Sequence, residues 1–246
     1  MTVKSPQEIK VMREGGRKLA KILAALEDQV HQGITTMDLE KKAIEMIAAE
    51  NGKPSFKSVP GYRFASCITL NEEVVHGLPS RRLIKKGDLV SLDLGFYWRG
   101  FHTDCATSLA VDGDKKTEEF LKAGRLALKK AISQAKVGNR VGHLSLAIQE
   151  EITKKGFYPI RQLTGHGIGR KLHENPSIPC FLKGSLEKTV KLKEGMTLAI
   201  EVIYASEPVS LVLASDGWTI KAEDGKITGL FEKTIAITRK GPLILT

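Results

Sequence analysis

Asp93 sits in Leu89-Val-Ser-Leu-Asp-Leu-Gly95 and Glu201 in Leu198-Ala-Ile-Glu-Val-Ile203, two carboxylates set inside otherwise apolar runs. Buried without a partner, such a charge costs several kcal/mol, so each acid must meet a base, keep a proton or bind a metal ion. Two more acids follow: Asp104, 11 residues after Asp93, in Gly100-Phe-His-Thr-Asp-Cys-Ala-Thr107, and Glu232, 31 after Glu201, in Leu230-Phe-Glu-Lys-Thr-Ile235. If they converge, their four negative charges are balanced by two dications, whereas one dication would leave the site strongly over-charged. The competing reading gives each acid its own Lys or Arg. It is easy in a basic chain, but weaker when the acids take matching positions in two similar stretches.

Histidines extend the set. His166 and His173 lie in Thr164-Gly-His-Gly-Ile-Gly-Arg-Lys-Leu-His-Glu-Asn-Pro176, read as a glycine-rich loop whose backbone can approach a ligand and expose the imidazole. His76 lies in Asn71-Glu-Glu-Val-Val-His-Gly-Leu-Pro79, after a strand and at a turn. His31, His102 and His143 read as surface or capping groups. No Gly-Lys-Ser/Thr ending follows the glycines, which argues against a nucleotide-phosphate loop. Oxygen ligands with one imidazole suit Mn, Fe, Co or Zn better than they suit thiolate-seeking ions. Two such ions about 3.5 Å apart hold a bridging hydroxide and polarise a carbonyl, the chemistry of metal-assisted amide hydrolysis.

The elements that position these groups are legible in outline. Ser5-Pro6 caps a helix with Ile9, Met12, Leu19, Ile22 and Leu23 at helical spacing, and a second helix runs from Thr36 to Glu50 before Asn51-Gly52 and Pro54. Strands are predicted at Ala65–Leu70, Leu89–Leu94 and Ala106–Val111. Helices return at Lys116–Ala135 and Leu144–Ile152, and strands at Thr197–Tyr204 and Thr234–Thr238. Ile84-Lys-Lys-Gly87-Asp-Leu-Val-Ser-Leu-Asp93 is echoed 108 residues later by Leu192-Lys-Glu-Gly195-Met-Thr-Leu-Ala-Ile-Glu201. The pattern implies an α+β fold of two pseudo-twofold halves, approximately 5–111 and 116–240, in one domain spanning 1–246.

Composition sets the bounds. The chain has 246 residues, 41% hydrophobic and 27% charged, enough to bury a core and too apolar for disorder. Its three cysteines, an odd number without close spacing, fit a reducing compartment better than a disulfide framework. No apolar run is long enough to span a membrane, and the amino-terminal stretch lacks a signal-peptide core, so a cytoplasmic protein is expected. With 38 Lys and Arg against 28 Asp and Glu, the net charge of +10 implies an anionic partner.

The order Asp93, Asp104, His166, Glu201, Glu232, with Asn71–Pro79 and Gly165–Pro176, resembles the type I methionine aminopeptidases of the pita-bread fold over nearly the whole chain. The resemblance implies two divalent ions, Co, Mn, Fe or Zn, with Asp93 on one, His166 on the other, and Asp104 and Glu232 bridging. Glu201 would ligate one ion and act as general base, His173 would donate to the scissile carbonyl, and His76 would contact the scissile amide. Phe56, Tyr62, Cys67 and Trp218 match positions around the methionine pocket, and Leu172 takes a pocket position where an aromatic is common. Val59, Leu230 and Lys233 also depart from common residues there.

The activity implied is removal of initiator methionine from nascent chains whose second residue is small, by a metal-bridged water. The resemblance implies a monomer, and the +10 charge suggests ribosome association through an outward-facing basic surface. The short His166–Glu201 spacing excludes the type II insertion, and no amino-terminal extension is expected. A proline-directed aminopeptidase is the alternative enzyme. A metal-free peptide- or RNA-binding module is the alternative from another class, disfavoured because all seven reactive groups are present.

Overall fold

The computed structural model describes residues 3–246. Helix α1 (Pro6–Glu27) begins with a reciprocal cap: Glu8 N–H donates to Ser5 Oγ (3.2 Å) and Ser5 N–H donates to the Glu8 carboxylate (2.8 Å). Helix α2 (Thr36–Ala49) starts at Thr35, whose hydroxyl accepts from Asp38 N–H. Helices α3 (Lys115–Gln134) and α4 (Val141–Lys154) follow the same order in the second half.

The strands are β1 (Lys53–Pro54), β2 (Ser66–Leu70), β3 (Glu73–Val75), β4 (Leu89–Trp98), β5 (Phe101–Ala110), β6 (Tyr158–Pro159), β7 (Thr164–Gly167), β8 (Glu174–Pro179), β9 (Thr197–Ala205), β10 (Leu211–Leu213), β11 (Ile220–Ala222), β12 (Thr228–Thr238) and β13 (Gly241–Ile244). The main sheet runs β1-β4-β5-β12-β9-β7-β8, with β2 also on β4, β6 on β9 and β13 on β12, and β10-β11-β3 form a small second sheet.

Both helix pairs cover one face of the main sheet. Leu19, Leu23, Leu39 and Ile47 pack on Leu92, Leu94 and Phe96, while Ala127, Leu144 and Ile148 pack on Leu198, Ile200 and Ile235. Alternation along the strands leaves Asp93, Glu201 and Glu232 on the opposite face.

The echo noted in the sequence has matching bonds. Gly33 N–H donates to the Ile84 carbonyl (2.9 Å) and Gly138 N–H to the Leu192 carbonyl (3.2 Å). Gly87 N–H donates to the Val111 carbonyl (2.7 Å) and Gly195 N–H to the Ile237 carbonyl (2.9 Å). All four glycines have φ between 82° and 94°, a region other residues enter only with strain.

The two halves of the sheet meet where β5 touches β12, and the register there is short: Glu232↔Ala106 and Lys233↔Cys105. On either side a hydroxyl replaces the ladder. Thr234 Oγ1 accepts from Asp104 N–H (2.9 Å) and donates to the Asp104 carbonyl (2.8 Å). Ser108 Oγ likewise accepts from Leu230 N–H (2.9 Å) and donates to the Leu230 carbonyl (2.8 Å).

Several strands differ from the sequence reading. β5 begins at Phe101 and β12 at Thr228, five and six residues before the predicted starts. The added residues include His102, Thr103 and Asp104, polar yet buried, so apolar alternation could not reveal them. The glycine-rich loop is the β7–β8 hairpin.

Candidate metal centre

Register alone assembles the site. Cys67 pairs with Asp93, Asp93 with Ala106, Ala106 with Glu232, and Glu232 with Glu201, one continuous row across β2, β4, β5, β12 and β9. Residues paired across strands share a face, so these side chains emerge together. Asp104 lies two residues from Ala106 on β5, and His166 pairs with Ala199, two residues from Glu201. Ala106, with only a methyl group, leaves room between the acids.

The glycines beside His166 act differently from the sequence expectation. A Cβ on Gly165 would lie 2.6 Å from the Ala199 carbonyl oxygen, and one on Gly167 would lie 2.4 Å from that of Asn175. They bring β7 against β9 and β8, and so set the depth of His166, rather than admitting a ligand to the backbone. His166 Nδ1 lies 2.9 Å from the Gly167 carbonyl, to which its N–H donates. That leaves the Nε2 lone pair turned inward, 3.7 Å from Glu201 Oε1.

Asp104 and Glu232 are only 4% and 3% exposed. Asp93 Oδ1, Asp104 Oδ1 and Glu232 Oε1 are buried without a hydrogen-bond partner. Burial and mutual repulsion push Asp104 and Glu232 well above the usual carboxylate range, and Glu201 rises through burial and the Asp93 charge. Burial likewise lifts Asp93 to about 7. Ligand atoms of Asp104, His166 and Glu232 lie within 4.8 Å of one another. Orphaned oxygens converging with an inward imidazole lone pair fit a divalent cation, which would supply the missing partner for each.

One cavity of about 140 Å³ is lined by Asp93, Asp104, His166, Glu201 and Glu232, and also by His76, His173, Phe56, Tyr62, Cys67, Leu172 and Trp218. Every site residue singled out in the sequence is therefore brought to one place. Val59 lines the cavity as well, and so does Val75, which the sequence reading missed. Of the departures, Leu230 is absent from the lining, and Lys233, adjacent to Glu232 on β12, faces the helices.

His76 follows β3 with φ 58°, strained for a residue with a side chain, and Gly77 behind it sits against the Ile68 carbonyl. Burial lowers the pKa of His76 and of His173, so both are neutral N–H donors near pH 7. The His173 and His166 rings meet edge to face, 4.5 Å apart.

The apolar end is rigid. Tyr62 meets Trp218 at 5.0 Å and Phe56 at 6.3 Å, both edge to face, and its hydroxyl donates to the Ser66 carbonyl (2.8 Å). The turn before Cys67 is held from below by Glu40, whose carboxylate accepts from Ala65 N–H (2.7 Å), Ser66 N–H (3.0 Å) and Ser66 Oγ (2.6 Å). Glu40 was not singled out in the sequence, although it lies on the buried stripe Thr36, Leu39, Ala43, Ile47 of α2, where a carboxylate is out of place.

His143 caps α4, its Nδ1 accepting from Arg140 N–H (3.0 Å), and His31 is exposed. His102 is neither surface nor cap: it is 7% exposed inside β5, because its strand turns it onto the same face as Asp104.

The sequence matches metallopeptidase family M24 over residues 10–239. It is 38% identical to a methionine aminopeptidase of Clostridium perfringens over 245 residues, covering 99% of this chain and 98% of that one. It is 39% identical to methionine aminopeptidase 1 of Bacillus subtilis over 247 residues, 99% of this chain and 98% of the relative. The crystal structure of methionine aminopeptidase from Thermotoga maritima superposes with a TM-score of 0.96 at 39% identity, covering 100% of this chain and 99% of that one. Row, cavity and relatives agree: this pita-bread chain belongs to metallopeptidase family M24.

Proposed function

We propose that the chain is a methionine aminopeptidase that removes the initiator methionine from nascent proteins whose second residue is small and uncharged. The observation that supports it most is the row of partnerless carboxylate oxygens facing a cavity walled by Phe56, Tyr62 and Trp218. Asp93, Asp104, His166, Glu201 and Glu232 would hold two divalent ions, drawn from Co, Mn, Fe and Zn, with Asp104 and Glu232 shared. When bound, such ions act as Lewis acids toward the scissile carbonyl and lower the pKa of water.

The chain's own groups do the rest. Glu201 accepts the proton released as water attacks and passes it toward the leaving amine. His173, neutral, donates a hydrogen bond to the scissile carbonyl oxygen as negative charge grows there. His76, fixed by its strained turn, contacts the scissile amide. Phe56, Tyr62, Cys67, Leu172 and Trp218 enclose an unbranched thioether, whose polarizable sulfur packs well against ring edges.

Residues 5–111 and 116–240 would be the half-repeats whose closure builds this centre. The enzyme would work as a cytoplasmic monomer, its basic surface holding it near ribosomal RNA where nascent chains emerge. Co-sedimentation with ribosomes at low salt, lost as salt rises, is the expected result. Among the described residues, no helix is long and apolar enough to cross a membrane.

Turnover of three peptides by metal-loaded protein tests the assignment. Met-Ala should be cleaved and Met-Lys should not. Equal cleavage of Ala-Pro would overturn it in favour of a proline-directed enzyme, and no cleavage with any of the four metals would favour a binding protein.

A further inference from the structure

A second cavity, of about 560 Å³, opens one step along the strands from the carboxylate row. Tyr97 and His102 pair across β4 and β5, two residues beyond Gly95 and Asp104, so their side chains emerge on the same face as the acids. Lys53, Lys57 and Arg170 stand around them, and no carboxylate lines the space.

His102 supplies the polarity of the floor. Its Nδ1 lies 2.9 Å from the hydroxyl of Ser55, a residue with no exposed surface. That hydroxyl has no other partner among the described residues, so its hydrogen goes to Nδ1. A buried hydroxyl that withheld it would leave a donor unsatisfied. The ring hydrogen therefore sits on Nε2, which has no hydrogen-bond partner among the described residues. Lys53 and Lys57 make no ion pair among the described residues either. Lys57 does feel the Glu40 carboxylate, but the hydrogen bonds of that group are taken by Ala65 and Ser66. Arg170 pairs with Glu8 (2.8 Å) and lies over the Phe101 ring, which leaves part of its donor fork free.

We propose that this cavity is a binding site for a phosphate group, separate from the metal centre. A ring N–H at the floor, two free ammonium groups and a guanidinium at the rim match an oxyanion with several acceptor oxygens. The turn Phe56–Ser58 divides the two cavities: Phe56 lines the metal-site cavity, and Lys57 and Ser58 line this one. A bound phosphate thus lies behind the wall of the methionine box.

The test is titration of metal-loaded protein with inorganic phosphate, followed through the His102 Nε2–H resonance in imidazole-labelled protein. Wild type should give a saturable shift, and the exposed double variant Lys53→Ala/Lys57→Ala should bind about tenfold or more weakly. Neither lysine lines the metal-site cavity, so phosphate held by the metals alone would bind the variant equally well and leave the His102 signal unmoved, which overturns the proposal. Competition with a ten-residue oligouridylate separates the sources. Displacement identifies a nucleic-acid backbone as the occupant, and its absence identifies free phosphate or a small phosphate ester.

Discussion

Two of the regions that bury carboxylates in this molecule do it in opposite ways. Glu40, 2% exposed in α2, is surrounded by donors: two backbone amides and a hydroxyl converge on it. Asp104 and Glu232 are packed as deeply and Asp93 is half-buried, yet each keeps an oxygen that nothing meets. Both regions contain a buried acid; only the supply of donors differs. Where donors are complete, the carboxylate is a fastener, here holding the turn before Cys67. Where they are lacking around three adjacent acids, the fold alone leaves those oxygens without a partner, and a divalent cation would supply one.

The sharpest way to break this contrast is Asp104→Asn. Turnover should fall by about 10³-fold or more if Asp104 is the ligand proposed above, since its loss would remove the Lewis acid, and metal analysis should show the metal gone. The metal-free variant should unfold at no lower temperature than metal-free wild type, because a neutral amide replaces an acid that already keeps its proton. If it loses as much stability as a Glu40 variant, the two regions are alike and the contrast fails.

His76→Ala marks the edge of the row. It should lower turnover by about 10²-fold or more while metal content stays intact, as expected for a group that contacts substrate and not metal. Metal loss would move His76 into the ligand set. Glu40→Ala should do the reverse, costing about 3 kcal/mol in denaturant unfolding because three buried donors lose their acceptor, with metal content unchanged.

The smallest effect is on pH dependence. Asp93 keeps its proton in the fold up to about pH 7, and Asp104, Glu201 and Glu232 are raised well above the ordinary range by burial and mutual repulsion. The unfolded chain releases the same protons near pH 4. The native state therefore binds more protons across that window, and stability falls as pH rises. Unfolding midpoints of metal-free protein should drop from pH 5 to pH 8. Metal-loaded protein should reverse the slope, because binding releases those protons.

How much of this was legible beforehand depends on what made each residue conspicuous. Asp93 and Glu201 stood out because charge interrupts apolar strands, His166 because glycines flank it, and the helix cap at Ser5 followed from local chemistry. The strands carrying the acids were harder. His102 to Asp104 fell before the strand start predicted at Ala106, since alternation signals a strand only when buried side chains are apolar, and this face is built of polar ones. Gly165 and Gly167 were noticed for the wrong reason, because nothing local says that their missing side chains make room for a neighbouring strand. Glu40 had a signal, a carboxylate on a buried helical stripe, but its three donors lie 25 and 26 residues away. Lys4, whose ammonium reaches Glu174 (2.6 Å) beside His173 across 170 residues, had none.

The carboxylate row also has a consequence in time. Its members belong to β4, β5, β9 and β12, the middle of the sheet, over two hydrophobic clusters. Amides in such strands exchange with solvent only when the whole molecule opens. The backbone that carries the ligands is thus among the slowest parts of the protein, while the side chains face an open cavity. Metal release would need no strand to let go, so a chelator should strip the centre far faster than the protein unfolds, and the emptied frame should stand ready to be filled again.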